Sequence, residues 1–303
     1  MKQCKMKYVM ENRKIKLLLT GLILLSSMFV YGQTNQCLRF GMGTGLFSLN
    51  YNMNGVKSKL KLGFSGKANY TYFFHPHWGI GTGIEISMSS TDGFIDGAKV
   101  SFEGKIDDEN DEFRKDIYFR DWHEKQKIIF AEIPVVFNYQ YDFGLRKRRK
   151  MYINIGAKIQ IPLSANYEVT QGELEVQGYY AKWNVTLFGL PNHGFGRESH
   201  KKLAGPIAVP LNIAATAAIG FSFEVSPLMD VFLGASFDYG FMNLKSTDEG
   251  NILYEDKDQI LQYRSILMSS VITKANTIAL QGEAGIRVNI GSSSRRGIYR
   301  YRR

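Results

Sequence analysis

The sequence predicts an all-β protein: a transmembrane, antiparallel, up-and-down β-barrel of about eight strands. Three observations carry this reading. Apolar residues recur with a period of two over segments longer than ordinary soluble strands. Short and long connections alternate along the chain. Aromatic residues sort by the direction in which each strand runs.

The alternation is plainest in KLKLGFSGKANYTYFF, residues 59–74. Leu60, Leu62, Phe64, Gly66, Ala68, Tyr70, Tyr72 and Phe74 alternate there with Lys59, Lys61, Gly63, Ser65, Lys67, Asn69 and Thr71. A strict period of two gives a strand one oily face and one wet face. Candidate strands lie near 38–49, 59–74, 78–90, 125–142, 151–164, 208–225, 230–245 and 276–290. Most exceed the roughly 9–11 residues a tilted strand needs to cross a bilayer, whereas soluble strands usually hold about five or six.

The connections after the second, fourth and sixth strands are short: HPH, FGLRKRRK and SPLMD. Those after the third, fifth and seventh are long, with loops near 91–124, 165–208 and 246–276. Short turns at one end and long loops at the other are the pattern of outer-membrane barrels. Tyr70/Tyr72/Phe74, Phe137/Tyr139/Tyr141 and Phe221/Phe223 end the strands that run toward the short turns, and Phe237, Tyr239 and Phe241 end one that runs away. Aromatics at two levels with aliphatics between are what two interfacial girdles require.

The opposite face then lines the lumen. It carries Arg39, Lys61, Lys67, Lys158 and Arg287 against Glu85, Glu132, Glu224, Asp238 and Glu283. Five charges of each sign form a pairing network, and an eight-stranded barrel has an interior that side chains just fill. Pro134 and Pro162 fall within strands, where a missing N–H breaks the ladder, so bulges or boundaries are expected beside them.

Residues 1–32 hold Arg13, Lys14 and Lys16 ahead of an apolar run that ends at Gly32, the pattern of a cleavable secretory signal peptide. That leader holds six cations and one anion, so the formal charge of +10 falls to +5 on its removal. Such a charge calls for no nucleic acid partner. Cys4 leaves with the leader and Cys37 stays alone, so no internal disulfide is available. The expected organisation is a signal peptide over 1–32, a barrel over 33–290 and a basic periplasmic tail over 291–303.

YFFHPHWGIGTGIEIS, AEIPVVFNYQY and the closing GEAGIRVNI resemble the outer-membrane β-barrel, porin-like proteins of Bacteroidota. The resemblance covers roughly residues 38–290. It implies a small barrel similar to the OmpA transmembrane type, and some similar members, of the PorT accessory kind, serve type IX secretion. No catalytic motif comes with it. One departure is that strand eight ends at Ile290 and is followed by GSSSRRGIYRYRR.

Groups that could carry chemistry are sparse. Asp107, Asp108, Glu109, Asp111 and Glu112 have the oxygen ligands of a hard cation but lack the glycine of a calcium loop, and read as a solvated acidic loop. Asp121, His123, His193, Ser199 and His200 fall in outer loops and read as ordinary loop residues, as do His75 and His77 around Pro76. Arg146, Lys147, Arg148, Arg149 and Lys150, with Arg295, Arg296, Arg300, Arg302 and Arg303, cluster on the periplasmic side. Clusters of this kind suit anionic headgroups or an acidic partner surface.

The sequence therefore points to a non-enzymatic outer-membrane protein without cofactor or metal. Its partners would be outer-membrane lipids and a periplasmic or envelope-complex protein. A small passive porin is the alternative, and a lipid- or peptide-modifying enzyme stands behind it.

Overall fold

The computed structural model describes residues 35–52, 56–144, 148–199, 203–245, 250–256 and 261–290. Eight long strands form the barrel: β1 (Asn35–Asn52), β2 (Val56–Phe73), β3 (Trp78–Ile95), β4 (Glu112–Phe143), β5 (Arg149–Tyr180), β6 (Asn212–Ser226), β7 (Met229–Gly240) and β8 (Lys274–Ile290). Each pairs antiparallel with its neighbours in chain order, and β8 returns to β1 from Gln36↔Ile290 to Asn52↔Lys274. The ring is closed, so no strand edge in it is left to be satisfied by lipid.

Its faces are inverted relative to a soluble barrel. Met42, Leu62, Phe64, Ile80, Ile86, Val135, Ile155, Ile219, Leu233 and Leu280 all face outward and are exposed. Arg39, Glu85, Glu132, Lys158, Asp230, Glu283 and Arg287 face inward and are buried. Water would reverse this arrangement, and hydrocarbon requires it. The chain is thus a transmembrane barrel of the outer-membrane type.

The outward band on β4 runs from Ile129 to Tyr141, and Lys127 and Lys125 follow on the same face. Twelve residue rises of about 3.3 Å give roughly 40 Å along the strand. A tilt of about 35–45° shortens that to roughly 30 Å, the thickness of a hydrocarbon core. Phe74, Trp78, Tyr141, Phe221 and Phe223 ring the short-turn end and Phe241 stands toward the long-loop end, all exposed, whereas Phe137 and Phe237 share one rung through Ile155 and Ala217 and mark no separate levels.

Both prolines leave their mark. Between Ile129↔Ser164 and Phe130↔Pro162 the register shifts, so Leu163 is bulged out. The β3–β4 ladder passes from Thr82↔Val135 to Glu85↔Glu132 with no pairing opposite Pro134.

The largest departure from the expected layout lies at the long-loop end. β4 and β5 are each 32 residues long and continue well past the apolar band. Much of the sequence expected as loop near 91–124, 165–208 and 246–276 is folded sheet. Lys99–Ile106 pairs with the upper part of β4. Val185–Leu187, Gly196–Ser199 and Ala204–Pro206 pair with the upper part of β5. Leu253–Glu255 and Leu261–Tyr263 form a small separate sheet.

This head encloses a core of its own. Ile117, Phe119, Trp122, Ile128, Leu174, Leu244, Ile252, Ile266, Leu267 and Ile272 are all buried there. The buried face turns from polar to apolar on one parity of β4, from Glu132 to Phe130, Ile128 and Trp122, and the parity itself changes higher up, at bulges. At Arg120–Glu124 the pairing of β4 with β5 slips twice, around Asp121, whose φ is +48°, and around Thr170–Gly172. Below the slip the even-numbered residues of β4 face inward, from Trp122 to Glu132, and above it Ile117 and Phe119 do. A slip of one residue moves every later side chain to the other face. Gly172 has a φ of +148°, and a Cβ there would lie 2.5 Å from Trp122 Cε3, so both the backbone and the indole call for glycine.

Candidate functional site

The lumen holds the densest polar chemistry of the molecule. At the short-turn end Asp230 is buried, and its carboxylate takes Lys150 Nζ at 2.7 Å and Asn289 Nδ2 at 3.3 Å, with Arg287 Nε 3.9 Å away. Above it the Arg39 guanidinium lies over two rings, 4.1 Å from the centroid of Tyr152 and 4.8 Å from that of Phe232. Gly220 and Gly234 face Tyr152, and a Cβ at Gly220 would come 2.5 Å from its hydroxyl. That hydroxyl donates to Glu283 Oε1 at 3.0 Å, and Lys67 Nζ meets Glu283 Oε2 at 2.6 Å.

Higher still, Lys158 gathers three carboxylates: Glu85 at 2.8 Å, Asp238 at 2.9 Å and Glu132 at 3.3 Å. These four groups come from β5, β3, β7 and β4, so one ammonium ties together strands from across the ring. Ser87 and Gln160 donate to Glu132 at 2.5 and 2.9 Å, and Asn69 donates to Glu85 at 2.8 Å. Charges taken out of water are tolerated only when paired and hydrogen-bonded in this way. A cavity of about 10 Å³ remains beside this node, lined in part by Ser87, Glu132, Gln160, Asp238 and Thr277. That is room for a single water.

Eight of the ten residues expected in the lumen network are there. The other two are corrected by the structure. Glu224 stands exposed beside a register shift between Glu224 and Ser226, with its backbone N–H bonded to Arg148 at the rim. Lys61 is only partly buried and pairs with Asp92 at 2.5 Å, above the buried cluster. Asp230 and Lys150 take part instead, and sequence reasoning missed both in this role. Each stands at the start of its strand, where turn residues and lumen residues look alike.

Toward the head the lumen turns apolar and is then closed by a second polar knot. Glu124 is fully buried and accepts from Tyr263 Oη at 2.5 Å, Gln126 Nε2 at 2.6 Å, Ser265 Oγ at 2.7 Å and Ile266 N at 3.1 Å. Tyr51 donates in turn to Gln126, and Trp122 Nε1 donates to Tyr263 at 3.0 Å. The segment Ser265–Met268 thus crosses the mouth and is held to the barrel wall by one carboxylate. Glu124 lies beyond the apolar band, past Lys127, and its burial pushes the carboxyl above the usual glutamate range against the pull of those hydrogen bonds. Apart from Gln126, its partners lie some 140 positions away in the chain, so no local signal marks the contact.

Of the basic cluster expected at the short-turn end, Arg148 and Arg149 are exposed, whereas Lys150 is committed to Asp230. Arg146, Lys147, Arg295, Arg296, Arg300, Arg302 and Arg303 lie outside the described residues. His75 and His77 frame the tight turn closed by His75 and Trp78, and His77 Nδ1 meets the Gln140 carbonyl at 2.9 Å. His123 contacts Asp121 at 3.1 Å, beside the bulge that Asp121 forms. In the acidic segment, Asp107 accepts from the backbone of Glu109 and Asp111 and from Tyr180, which makes it a turn-forming residue. Among the described residues no three carboxylate, histidine or cysteine side chains converge on a metal position.

No known protein family and no curated protein matches the chain. Several solved barrels are similar to it. The attachment invasion locus protein Ail of Yersinia pestis, solved with the heparin analogue sucrose octasulfate, is 13% identical and has a TM-score of 0.26, over 84% of this chain and 98% of that one. Neisserial surface protein A is 10% identical at a TM-score of 0.32, over 85% and 97% of the two chains. OprG of Pseudomonas aeruginosa is 9% identical at 0.38, over 84% and 95%. Likenesses this remote carry no functional argument, and the barrel assignment rests on the closed ring and inverted faces of this chain.

Proposed function

We propose that the protein is a non-conducting, non-enzymatic outer-membrane barrel that anchors a folded head at the cell surface for interaction with other molecules. In this reading the head is extracellular and the short turns are periplasmic. The observation that carries it is the closed lumen, filled by ion pairs from Asp230 to Lys158 and crossed at its mouth by the strap bound to Glu124. A porin of the same size would need a continuous aqueous path past both.

Conductance of the purified protein in a planar bilayer tests this directly. No current steps are expected, and reproducible unitary steps would establish the passive-porin alternative. Heat-modifiable gel migration is expected as well, since a folded barrel runs differently before and after boiling. N-terminal sequencing of the mature protein should begin near Gln33, following cleavage of the leader.

The exposed Arg148 and Arg149 support a second contact surface at the periplasmic end, for an acidic partner surface such as that of a secretion or envelope complex. Cross-linking in intact outer membranes, with and without residues 291–303, tests it. A stoichiometric partner lost on deletion supports the accessory role, and a barrel recovered alone in both cases removes it.

A further inference from the structure

The far tip of the head carries an apolar surface that no described residue covers. Beyond Tyr180 the chain forms a hairpin through Val185–Leu187 and the short 3-10 turn Pro191–His193, closed by a bridge between Leu190 and Phe195. On it Trp183, Phe188 and Leu190 are 50%, 47% and 40% exposed. Ile106, which leads into the adjoining acidic turn, is 66% exposed. The band facing lipid lies some sixteen residue rises below on β4, roughly 50 Å along the strand at about 3.3 Å per residue. Membrane anchoring by this barrel therefore does not account for these side chains. Trp183 is also held in place, with its ring 5.7 Å from that of Tyr180 and the Lys182 ammonium 4.7 Å from its centroid.

Carboxylates border this patch. Asp107 and Asp111 bond Tyr180 and Lys182 and so bring the turn 107–112 against the hairpin. Asp108, Glu109 and Glu112 are exposed. Of the described cations around them, Lys105 is engaged by Glu255, Arg114 by Asp116 and Lys182 by Asp111, which leaves Lys115. An apolar centre with a pre-positioned tryptophan and a charged rim has the anatomy of a protein-binding surface. The sign of the rim selects the partner, because like charges across an interface are costly.

We infer that this tip docks a cationic amphipathic protein segment, with its apolar side chains on Trp183 and Phe188 and its lysines or arginines on Asp108, Glu109 and Glu112. An anionic lipid surface would be repelled by the same rim. A second copy of this chain offers its exposed basic turn only at the opposite end of the barrel, across the membrane. The inference rests on the reading of the head as the surface-exposed interaction end.

The test uses the full chain in nanodiscs of zwitterionic lipid and a fluorescently labelled amphipathic peptide of lysine and leucine. Its counterpart with glutamate for lysine, vesicles of anionic lipid and the protein alone serve as the other probes. Saturable binding of the lysine peptide and none of the glutamate peptide is expected by anisotropy. The double substitution Trp183→Ser with Phe188→Ser, and the triple Asp108→Asn, Glu109→Gln, Glu112→Gln, should each weaken it at least tenfold while heat-modifiable migration stays intact. Absence of saturable binding, binding indifferent to both variants, preference for anionic vesicles, or self-association lost in the serine variant would each overturn the inference. A conducting barrel that still binds the peptide would sink the non-conducting reading alone, and a silent barrel that ignores it would sink this one alone.

Discussion

Two strands, β4 and β5, run through both the barrel and the head, and the two regions follow opposite rules. In the barrel, β4 turns Val135 and Phe137 outward and Glu132 inward. In the head, the same strand buries Ile117, Phe119 and Trp122. What differs is the solvent. Lipid removes the drive to hide apolar groups and makes unpaired polar groups intolerable, so the barrel interior is organised by charge pairing. Water restores the drive, so the head is organised by apolar burial. On β4 one rule gives way to the other between Glu132 and Ile128, within one parity, and the slips at Asp121 and Thr170–Gly172 keep Ile117 and Phe119 buried once the parity has changed.

If the two regions depend on different forces, their perturbations should separate. The largest effect is expected from Lys158→Met. It strands three buried carboxylates, and removing one member of a buried ion pair costs about 3–5 kcal/mol. The barrel should fold in low yield and unfold at lower urea, while restoring a cation with Lys158→Arg should recover part of the loss. A barrel indifferent to Lys158→Met would show that its lumen charges are solvated.

Trp122→Ala removes the largest fully buried side chain of the head, at about 3–5 kcal/mol for truncating a packed aromatic. Here the head should become sensitive to protease around 261–275 while heat-modifiable migration persists. Simultaneous loss of both would mean that head and barrel form one cooperative unit.

Ile155→Arg, at an outward and 61% exposed position beside Phe137, should cost up to the bilayer-midplane figure of about 2–4 kcal/mol, and less toward the interface. At an exposed site of a water-soluble sheet such a change is usually within about 0.5 kcal/mol. A near-zero effect on stability in lipid would argue that this face does not meet hydrocarbon.

The smallest effect concerns pH. Burial raises the Glu124 carboxyl in the folded head, so the folded state binds its proton more tightly than the unfolded chain does. That contribution is fully present below the ordinary glutamate value of about 4.3 and is lost as pH rises through the raised value. Amide exchange at Ile266–Ser269, corrected for intrinsic rates, should therefore show less protection at neutral than at acidic pH. Glu124→Gln should flatten the profile, and an unchanged profile would assign the titration elsewhere.

The barrel was legible in the sequence because lipid imposes one rule on one parity over a dozen residues at a time. Leu62, Phe64 and Tyr72 declare the outward face of β2, and the same face is exposed in the structure. Parity tells which face a residue occupies but not its height along the axis. Parity alone therefore places Lys61 and Glu224 with the buried charges and does not single out Asp230 and Lys150 at the strand starts.

The head was hidden for a different reason. Its alternation is interrupted by slips at Leu163, Asp121 and Thr170–Gly172, so no single period runs through 112–180. Its smaller strands are three to eight residues long. The contact of Glu124 with Ser265 joins positions that share no local pattern.

The length of the β4–β5 ladder has a mechanical consequence. From Arg114↔Tyr179 to Phe143↔Arg149 the two strands stay paired from the distal part of the head to the far rim of the barrel, apart from the slips already described. A pull on the tip runs along both strands toward their shared turn. It loads the flanking ladders to β3 and β6 in shear, many hydrogen bonds at once, with none opened singly as in a peeled hairpin. A surface contact made at Trp183 would then be tethered by a stiff, two-ply cord whose weakest element under tension is the contact itself.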